Sequence, residues 1–336
     1  MSRRTINWGV LSTAAIATGK FIPALQRSGS SRVMAIASRD EERARATASA
    51  LSIPKSYGSY EQLLADPEID VIYNPLPNDM HVAWTIAAAA AGKHVLCEKP
   101  IAMTAEEARQ LLACSHSVIV MEAFMVRYHP QWLRVRDLIR SGELGTVRVV
   151  QAAFSYFNTN PDNIRNKVEH GGGAMLDIGC YPITAARFFF ECEPRRVVAA
   201  VERDERFGTD RQASVLADFG DGRQLSFVVS TQLAPFQRIN VIGTRGRAEI
   251  LIPFNAPQDR HTAITVDFGE SLDGSLARRE ILASCDQYAE LAEAMVQAIL
   301  KDTRPAYGVE DAIKSMRVLD AVFQSERDNG WVEIGD

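Results

Sequence analysis

Residues 1–122 alternate short runs rich in β-forming residues with helical stretches, and this alternation constrains the fold more than any other feature of the chain. It is typical of βαβ units, in which helices join parallel strands and cover the sheet. Two helical stretches begin with a capping box, Ser59 with Gln62 and Thr104 with Glu107. The predicted strands are Ile6 to Leu11, Arg32 to Ala37, Asp70 to Tyr73, His94 to Cys97 and Val118 to Met121. Right-handed crossovers bring the carboxyl ends of such strands to one edge of the sheet, where ligands bind.

The pattern changes after Glu122. A predicted helix from Pro130 to Ser141 leads into a long alternating strand, Thr146 to Phe157, and the triple glycine Gly171 to Gly173 precedes another helix. Residues 195–252 form several alternating runs separated by glycine-containing turn signals. This spacing predicts a mostly antiparallel sheet.

Two further helical stretches, at 286–301 and 309–329, close the chain. We therefore predict two domains. Residues 1–122 form an α/β Rossmann domain with a parallel sheet, and residues 123–336 form an α+β domain with a large, mostly antiparallel open sheet for substrate binding and dimerisation. This prediction includes the option that the final helices pack back on the first domain.

The composition excludes several classes of partner. A formal net charge of -5 does not favour nucleic acid or an anionic membrane. The longest strongly apolar stretch, Ile86 to Ala91, is far short of the ~20 residues that a membrane span needs. The five cysteines are odd in number and lack zinc-site spacing, so they predict neither a disulfide framework nor a metal site. We expect reduced thiols in a cytoplasmic protein.

The loop after the first strand reads Trp8-Gly-Val-Leu-Ser-Thr-Ala-Ala-Ile-Ala17. A dinucleotide fingerprint needs small residues at three places, for a tight turn, for close approach of the pyrophosphate and for helix packing. Those places fall on Ser12, Ala14 and Ala17, although only glycine freely adopts positive φ. Taken alone, the loop is equally compatible with an ordinary strand-to-helix turn.

The end of the second strand favours NADP over NAD. An NAD-binding domain carries an acid here for the ribose hydroxyls, whereas this chain has Ser38 and Arg39, followed by Arg43 one helical turn later. A hydroxyl and a guanidinium suit a 2'-phosphate, and a planar arginine also stacks on adenine. The alternative is that both arginines are solvent-exposed residues without a ligand, at the start of a helix that also carries Asp40 and its acidic neighbours. Cations are unfavourable at a helix N-terminus, which favours the NADP interpretation.

Two loops at the ligand edge and one later motif indicate a family. The loops are Asn74-Pro-Leu-Pro-Asn-Asp-Met-His81 and Cys97-Glu-Lys-Pro100, and the motif is Gly171-Gly-Gly-Ala-Met-Leu-Asp-Ile-Gly-Cys-Tyr181. In combination they resemble the glucose-fructose oxidoreductase, inositol dehydrogenase and rhizopine-catabolism (Gfo/Idh/MocA) family over nearly the whole chain. The segments at 8–14 and 121–130 are most similar to the branch of dimeric dihydrodiol dehydrogenase and NADP-dependent xylose dehydrogenase. In that branch the first glycine is commonly serine or alanine.

Three residues form the predicted catalytic group. Hydride transfer from a secondary alcohol requires a group that accepts the hydroxyl proton, and Tyr181 is the candidate. A free phenol has a pKa of about 10, so it needs a nearby cation, which Lys99 supplies while orienting the substrate oxygen. Asp177 lies one helical turn before Tyr181 and either binds a substrate hydroxyl or fixes Lys99. Pro182 disturbs this helix unless the helix starts or kinks there. Many family members have histidine at the position of Tyr181, and the dihydrodiol, xylose and glucose-fructose branches share the tyrosine.

Further residues are expected around the cofactor. Asn78 and His81 shape the nicotinamide pocket or, alternatively, serve as a helix start and a packed core residue. Arg127, Tyr128 and His129 follow the last strand of the cofactor domain and are expected to line the cleft or, alternatively, to serve packing. Phe154 and Tyr156 alternate on a strand and are interpreted as core or interface residues. Alternatively, one face of this strand forms the floor of a sugar-binding site. The predicted cofactor-binding residues are Ser12, Thr13, Ala14, Ile16, Ser38, Arg39, Arg43, Pro75, Asn78, His81, Glu98, Lys99 and Arg127.

These features predict an NADP(H)-dependent oxidoreductase. Its substrate is a secondary alcohol or hemiacetal of a sugar, for example an aldose such as xylose, or a cyclic trans-diol. We expect a homodimer through the second-domain sheet, or a higher oligomer. One alternative is a ketosugar reductase acting on nucleotide-linked sugars, and another is a regulator that senses NADPH without turnover.

Overall fold

The computed structural model describes residues 4–335. The strands are β1 Ile6–Leu11, β2 Ser31–Ala37, β3 Lys55–Tyr57, β4 Val71–Asn74, β5 His94–Cys97, β6 Val120–Glu122, β7 Val147–Phe157, β8 Arg196–Arg203, β9 Asp210–Gly220, β10 Arg223–Ser230, β11 Gln232–Gly243, β12 Arg247–Ile250, β13 Thr262–Asp267, β14 Arg278–Leu282 and β15 Val332–Glu333. The α-helices are α1 Ile22–Gln26, α2 Glu41–Ala50, α3 Tyr60–Leu64, α4 His81–Ala90, α5 Ala105–Arg109, α6 Pro130–Arg140, α7 Cys180–Phe190, α8 Gln287–Lys301 and α9 Val309–Asp328. Within this part of the chain, no helix is both long and apolar enough to cross a lipid bilayer.

The chain divides into two compact units. Unit 1 comprises the chain up to Met125 together with Asp286–Ile313, and unit 2 comprises Val126–Cys285 and the chain from Lys314 onward. This division differs from the continuous second domain, 123–336, that the sequence favours. The reason lies in α8, whose start and middle are bonded to the end of α1 and to the residues before β2 through Arg27 with Asp286 and Ser30 with Glu293.

Unit 1 contains a six-stranded parallel sheet in the order β3-β2-β1-β4-β5-β6. This is the strand order of the dinucleotide-binding Rossmann fold, with its ligand crevice where the order reverses beside β1. Trp8, Phe21 and Tyr73 form the aromatic part of the core, and the rings of Phe21 and Tyr73 stack with centroids 3.8 Å apart. The predicted α/β Rossmann fold is confirmed.

Both predicted capping boxes begin helices in unit 1. Ser59 Oγ accepts a hydrogen bond from the backbone N–H of Gln62 at the start of α3, over 3.2 Å. Thr104 Oγ1 accepts one from Glu107 at the start of α5, also over 3.2 Å. A cap of this kind contributes about 1 kcal/mol, because it satisfies an N–H group that has no partner within the helix.

Unit 2 is built on a nine-stranded sheet in the order β14-β13-β12-β11-β7-β10-β9-β8-β15. Only β7 and β10 run parallel, so the sheet is mostly antiparallel, as predicted. Alternation along β7 buries Val150, Ala152 and Phe154 and leaves Val149 and Ala153 partly exposed. One face of the sheet is therefore covered by α7, and no helix of residues 4–335 packs over the partly exposed side chains of the other.

Candidate active site

The turn after β1 has the backbone geometry of a fingerprint loop, although serine stands where glycine is usual. Ser12 has φ of +82°, in the left-handed region that favours glycine. Its Oγ accepts a hydrogen bond of 3.0 Å from the N–H of Ala14, and its own N–H donates to the carbonyl of Ala37 over 2.9 Å. The hydroxyl thus stabilises the sharp turn. Thr13, Ala14 and Ile16 are each partly exposed along the same loop.

The end of β2 brings Ser38 and Arg39 to the same edge of the sheet. Ser38 is buried, and its Oγ accepts a hydrogen bond of 3.2 Å from the N–H of Asp40. Asp40 caps α2 by accepting from the N–H of Arg43 over 3.0 Å, so this carboxylate is engaged with the helix. Arg39 is exposed, and its guanidinium lies beside the Tyr60 hydroxyl, where it opposes the rise in the pKa of Tyr60 that burial causes. The side chain of Arg43 is exposed.

The loops after β4 and β5 are held together by His81. Its ring is fully buried, with Nδ1 2.7 Å from the carbonyl oxygen of Pro100 and Nε2 2.8 Å from that of Leu76. Burial lowers the pKa of His81, and the hydrogen bonds to the carbonyl oxygens of Pro100 and Leu76 oppose that shift. Asn78 begins a short 3-10 turn, Asn78–Met80, just before it, and Pro75 is buried. His81 therefore fixes the loops that carry the other candidates.

Glu98 and Lys99 follow β5 on a restrained loop. Tyr73 Oη donates a hydrogen bond of 2.6 Å to Glu98 Oε1, and the N–H of Lys99 lies 3.3 Å from Oε2. Burial, and then the charge of Glu98, raise the pKa of Tyr73 well above its usual range, so the phenol keeps its proton and remains the donor. Beyond the loop, Glu122 Oε1 accepts from the N–H of Ile101 over 3.0 Å.

In unit 2, Asp177 and Tyr181 lie on one continuous helical segment that begins with a wide turn. Met175–Gly179 is π-helical, and α7 follows from Cys180, so Pro182 is the third residue of α7. A π turn inserts an extra residue per turn and is frequent at functional sites. The difficulty that Pro182 poses for a regular helix is thus resolved, because the regular α-helix starts two residues before it.

Aromatic and charged side chains surround these two residues. Tyr181 is buried, and its ring contacts those of Phe154 and Phe254 with centroids 5.6 Å and 5.2 Å away. Asp177 Oδ2 accepts hydrogen bonds of 2.6 Å from Tyr156 Oη and 2.9 Å from Arg165 Nε. The sequence predicts a core, interface or sugar-binding role for Tyr156, and it does not single out Arg165.

The triple glycine Gly171 to Gly173 allows neighbouring segments of the chain to approach its backbone closely. The backbone of Gly173 has φ of +118°, and a Cβ there would lie 1.9 Å from Asp210 Oδ1. Asp210 is buried and accepts a hydrogen bond of 2.6 Å from the N–H of Met175, at the start of the π turn. Burial raises the pKa of Asp210 to about 7. Asp210 thereby anchors the segment that carries Asp177, and sequence reasoning missed it because it stands 35 residues away in the chain from its bonding partner.

The predicted site residues are thus divided between the units. Those predicted at the ends of β1, β2, β4 and β5 share the carboxyl edge of the unit 1 sheet. Arg127 belongs to unit 2, where it is buried in the 3-10 turn Met125–Tyr128, and so do Asp177 and Tyr181.

Comparison with known proteins decides the family. Residues 6–124 match the model of an oxidoreductase family with an NAD-binding Rossmann fold, and residues 132–249 match that of the GFO/IDH/MocA C-terminal domain. The chain belongs to the GFO/IDH/MocA oxidoreductase family. Its membership confirms the family that the motifs indicate, and with it an oxidoreductase whose first domain binds a nicotinamide dinucleotide.

Relatives within the GFO/IDH/MocA family agree with the predicted branch. The chain is 37% identical to D-xylose 1-dehydrogenase (NADP(+)) 2 of Haloferax volcanii, over 97% of this chain and 99% of that protein. It is 33% identical to trans-1,2-dihydrobenzene-1,2-diol dehydrogenase of Bos taurus, over 76% of each. A crystal structure of a 3-ketoreductase from Actinomadura kijaniata, in complex with NADP and TDP-benzene, superposes with a TM-score of 0.90 at 29% identity, covering 96% of this chain and 98% of that one.

Proposed function

We propose that this protein is an NADP(H)-dependent oxidoreductase that acts on a CH–OH group. Its substrate is a secondary alcohol or hemiacetal of a sugar, an aldose such as xylose, or a cyclic trans-diol. The observation that carries the proposal is the pair of Asp177 and Tyr181 on one helical segment, with Asp177 bonded to Arg165 and Tyr156 and Tyr181 set among aromatic rings. This is a polar cluster against an apolar wall, as a sugar or diol requires.

The unit 1 edge supports NADP as the cofactor. Ser12 adopts the backbone conformation of a pyrophosphate-binding turn, and the position of the ribose-binding acid holds Ser38 and Arg39 instead. Arg39 and Arg43 are both exposed at this edge, and a guanidinium binds a 2'-phosphate bidentately. The xylose relative is named for NADP, and the superposed ketoreductase holds it.

The roles of the side chains follow from their chemistry. Bound NADP supplies the nicotinamide carbon that accepts or donates a hydride. Tyr181 takes the proton of the substrate hydroxyl in oxidation and returns it to the carbonyl oxygen in reduction. Lys99 lowers the pKa of that phenol and orients the reacting oxygen, and Asp177 binds a neighbouring hydroxyl. Glu98 and His81 hold the loop on which Lys99 lies.

Xylose and the trans-diol have a feature in common. In a 1-dehydrogenase reaction on xylose the reacting carbon is next to a carbon that carries a hydroxyl, and the same holds in a 1,2-diol. A carboxylate such as Asp177 accepts a hydrogen bond from such a hydroxyl. The rival reaction, reduction of a nucleotide-linked ketosugar, is favoured by the likeness to the 3-ketoreductase with TDP-benzene and is included in the test.

We propose a cytoplasmic homodimer. The open sheet face carries the partly exposed side chains of Val149, Leu216 and Val228, and at its end Phe157 and Phe236 are 65% and 49% exposed. Partly exposed apolar side chains on an alternating sheet face are stabilised by burial against a second copy. In the part of the chain that the structure describes, the five cysteines form no disulfide, which is consistent with a reducing compartment.

Turnover by purified protein, read by NADPH absorbance over aldoses, trans-diols and a nucleotide-linked ketosugar, tests the proposal. We expect oxidation of an aldose or diol, and Tyr181→Phe should lower kcat by roughly 100-fold or more without weakening NADPH binding. Tyr57→Phe makes the same chemical change at a phenol bonded to Asp66 in unit 1. It retains the backbone carbonyl that accepts from the N–H of Ser38, so it should leave kcat unchanged. Full activity in Tyr181→Phe would sink the assignment, and binding without turnover of any substrate would favour a regulator.

A further inference from the structure

Two donors converge on a single oxygen of Asp177. Tyr156 Oη lies 2.6 Å and Arg165 Nε 2.9 Å from Asp177 Oδ2. Asp177 is only 14% exposed at its side chain, whereas Arg165 is 47% exposed. The ionised form of Asp177 suits this arrangement, because hydrogen bonds from a guanidinium and a phenol to a carboxylate are charge-assisted and stronger than those to a neutral carboxyl.

The backbone of Arg165 is attached to the same segment. Its carbonyl accepts a hydrogen bond of 2.9 Å from the N–H of Gly173, and a Cβ at Gly172 would lie 2.5 Å from that carbonyl oxygen. The glycines therefore allow the loop of Arg165 to approach the turn of Asp177 directly. Arg165 is connected to this turn through both its main chain and its side chain, which fixes the guanidinium beside the carboxylate.

Both donors keep their protons over the working range of pH. The charge of Asp177 raises the pKa of Arg165, and burial together with that charge raises the pKa of Tyr156. A carboxylate held in this way is restricted to accepting hydrogen bonds. Its preferred partner is a hydroxyl, and it repels the oxygen of a carbonyl or ether.

We propose that Arg165 and Tyr156 are positioning residues that hold Asp177 as an ionised acceptor, and that they thereby select substrates with a hydroxyl on the carbon next to the reacting one. Asp177 and Tyr181 are four residues apart on one helical segment, about one turn, and in this inference their side chains meet oxygens on adjacent carbons of the substrate. This inference rests on the proposed function, in which Tyr181 meets the reacting oxygen.

The test compares kcat/KM for a matched pair of sugars, D-glucose and 2-deoxy-D-glucose, or for the preferred aldose or diol and its analogue without the neighbouring hydroxyl. The wild-type enzyme should prefer the hydroxylated member by at least about 100-fold, since a site that bonds a substrate hydroxyl discriminates strongly against its absence. Arg165→Met and Tyr156→Phe should each lower kcat/KM for the hydroxylated member by roughly 10-fold or more, mainly through KM. Both should leave the deoxy member nearly unchanged, so the preference falls.

Two controls separate positioning from general damage. Arg165→Lys keeps the charge and should recover part of the lost preference. Arg196→Met removes a similar half-exposed contact, from Arg196 Nε to Asp218 Oδ2 over 3.1 Å, on another part of the sheet, and should leave the preference unchanged.

The possible results are distinct. If folded Arg165→Met and Tyr156→Phe proteins lose activity on both sugars equally, or retain the wild-type preference, the inference is wrong. A wild-type enzyme that uses both sugars equally well contradicts the inference alone and leaves the proposed function standing. A wild-type enzyme that turns over no aldose or diol overturns the proposed function and the inference with it.

Discussion

Ser12 occupies a conformation that suits glycine better. Its positive φ costs roughly 1 kcal/mol relative to glycine, and its Oγ accepts from the N–H of Ala14, on the loop that we propose binds the pyrophosphate. We expect Ser12→Gly to bind NADPH roughly 5-fold to 10-fold more tightly, because the freed N–H donates to a phosphate oxygen. Thermal stability should change little, since the relieved strain is offset by the greater flexibility of the unfolded chain.

Ser52 offers a matched control for that change. It also has positive φ, of 54°, but lies beyond the end of α2 and away from the loop. Ser52→Gly should leave the dissociation constant of NADPH, measured by fluorescence titration, unaltered. Weaker binding by Ser12→Gly would instead assign the serine hydroxyl a direct contact with the cofactor.

The proposed preference for NADP rests on Ser38 and Arg39. Replacing both, with Ser38→Asp and Arg39→Ala, places a carboxylate at the position that we propose for the 2'-phosphate and removes a guanidinium. The ratio of kcat/KM for NADP to that for NAD should fall by roughly 100-fold. Arg32→Ala removes an exposed arginine near the other end of β2 and should leave the ratio as it is. An unchanged ratio in the double variant would disprove the assignment.

Some of the candidate site residues can be predicted from the sequence and others cannot. Ser12 and Arg39 are recognisable because each has a fixed offset from a strand end, and strand ends are marked by local apolar runs. The contacts of Arg165 and Tyr156 with Asp177 span 12 and 21 residues of chain through side chains. No periodic pattern reports such a contact, because it depends on how a loop and a strand approach the helix.

Asp210 gives the start of the helical segment that carries Asp177 and Tyr181 a pH dependence. Burial raises its pKa from 3.8 to about 7, so the folded protein holds a proton there that the unfolded chain has lost. The stability from this group is complete below about pH 4 and is lost as the pH rises through about 7. The loss is on the order of 4 kcal/mol. Asp210→Asn should therefore show a smaller fall in the free energy of unfolding between pH 5 and pH 8 than the wild type, measured by urea titration.

Asp218 on the same strand supplies the comparison. The N–H of Gly220 is the main group that lowers its pKa, so Asp218 titrates below this pH range. Asp218→Asn should leave the slope between pH 5 and pH 8 unchanged. Parallel curves for Asp210→Asn and the wild type would show that Asp210 does not bind the extra proton.

Element boundaries were predictable where an apolar run or a cap defines them. β1 and β5 begin and end where the sequence predicts. β3, Lys55–Tyr57, was missed, because three polar or amphipathic residues at a sheet edge give no buried run. The π turn before α7 could not be predicted either. Pro182 indicates that a regular α-helix is interrupted or begins near this position, but it does not specify a π turn.

At the scale of the whole molecule, the sequence did not specify which unit α8 would join. Its buried face includes Tyr288, Leu291 and Met295, a spacing that predicts an amphipathic helix. That spacing predicts that one face of α8 is buried, but it does not identify the elements against which that face packs. The partner is set by side chains such as Arg27 and Ser30, far away in the chain, which bind Asp286 and Glu293.

The open sheet face of unit 2 should determine the oligomeric state. Val228 lies on a central strand of that face, paired with Ala153 and Ser214, and both it and Ala153 are partly exposed. Burying this face against a second copy removes apolar surface from water, whereas Val228→Glu would bury a carboxylate without a partner, at a cost of several kcal/mol. Light scattering coupled to gel filtration should give the wild type twice the chain mass of 37.1 kDa and the variant a single chain mass. Leu272→Glu, at a fully exposed loop position outside the sheet, should remain dimeric. A monomeric wild type, or a Val228→Glu protein that keeps the dimer mass, would place the interface elsewhere or remove it.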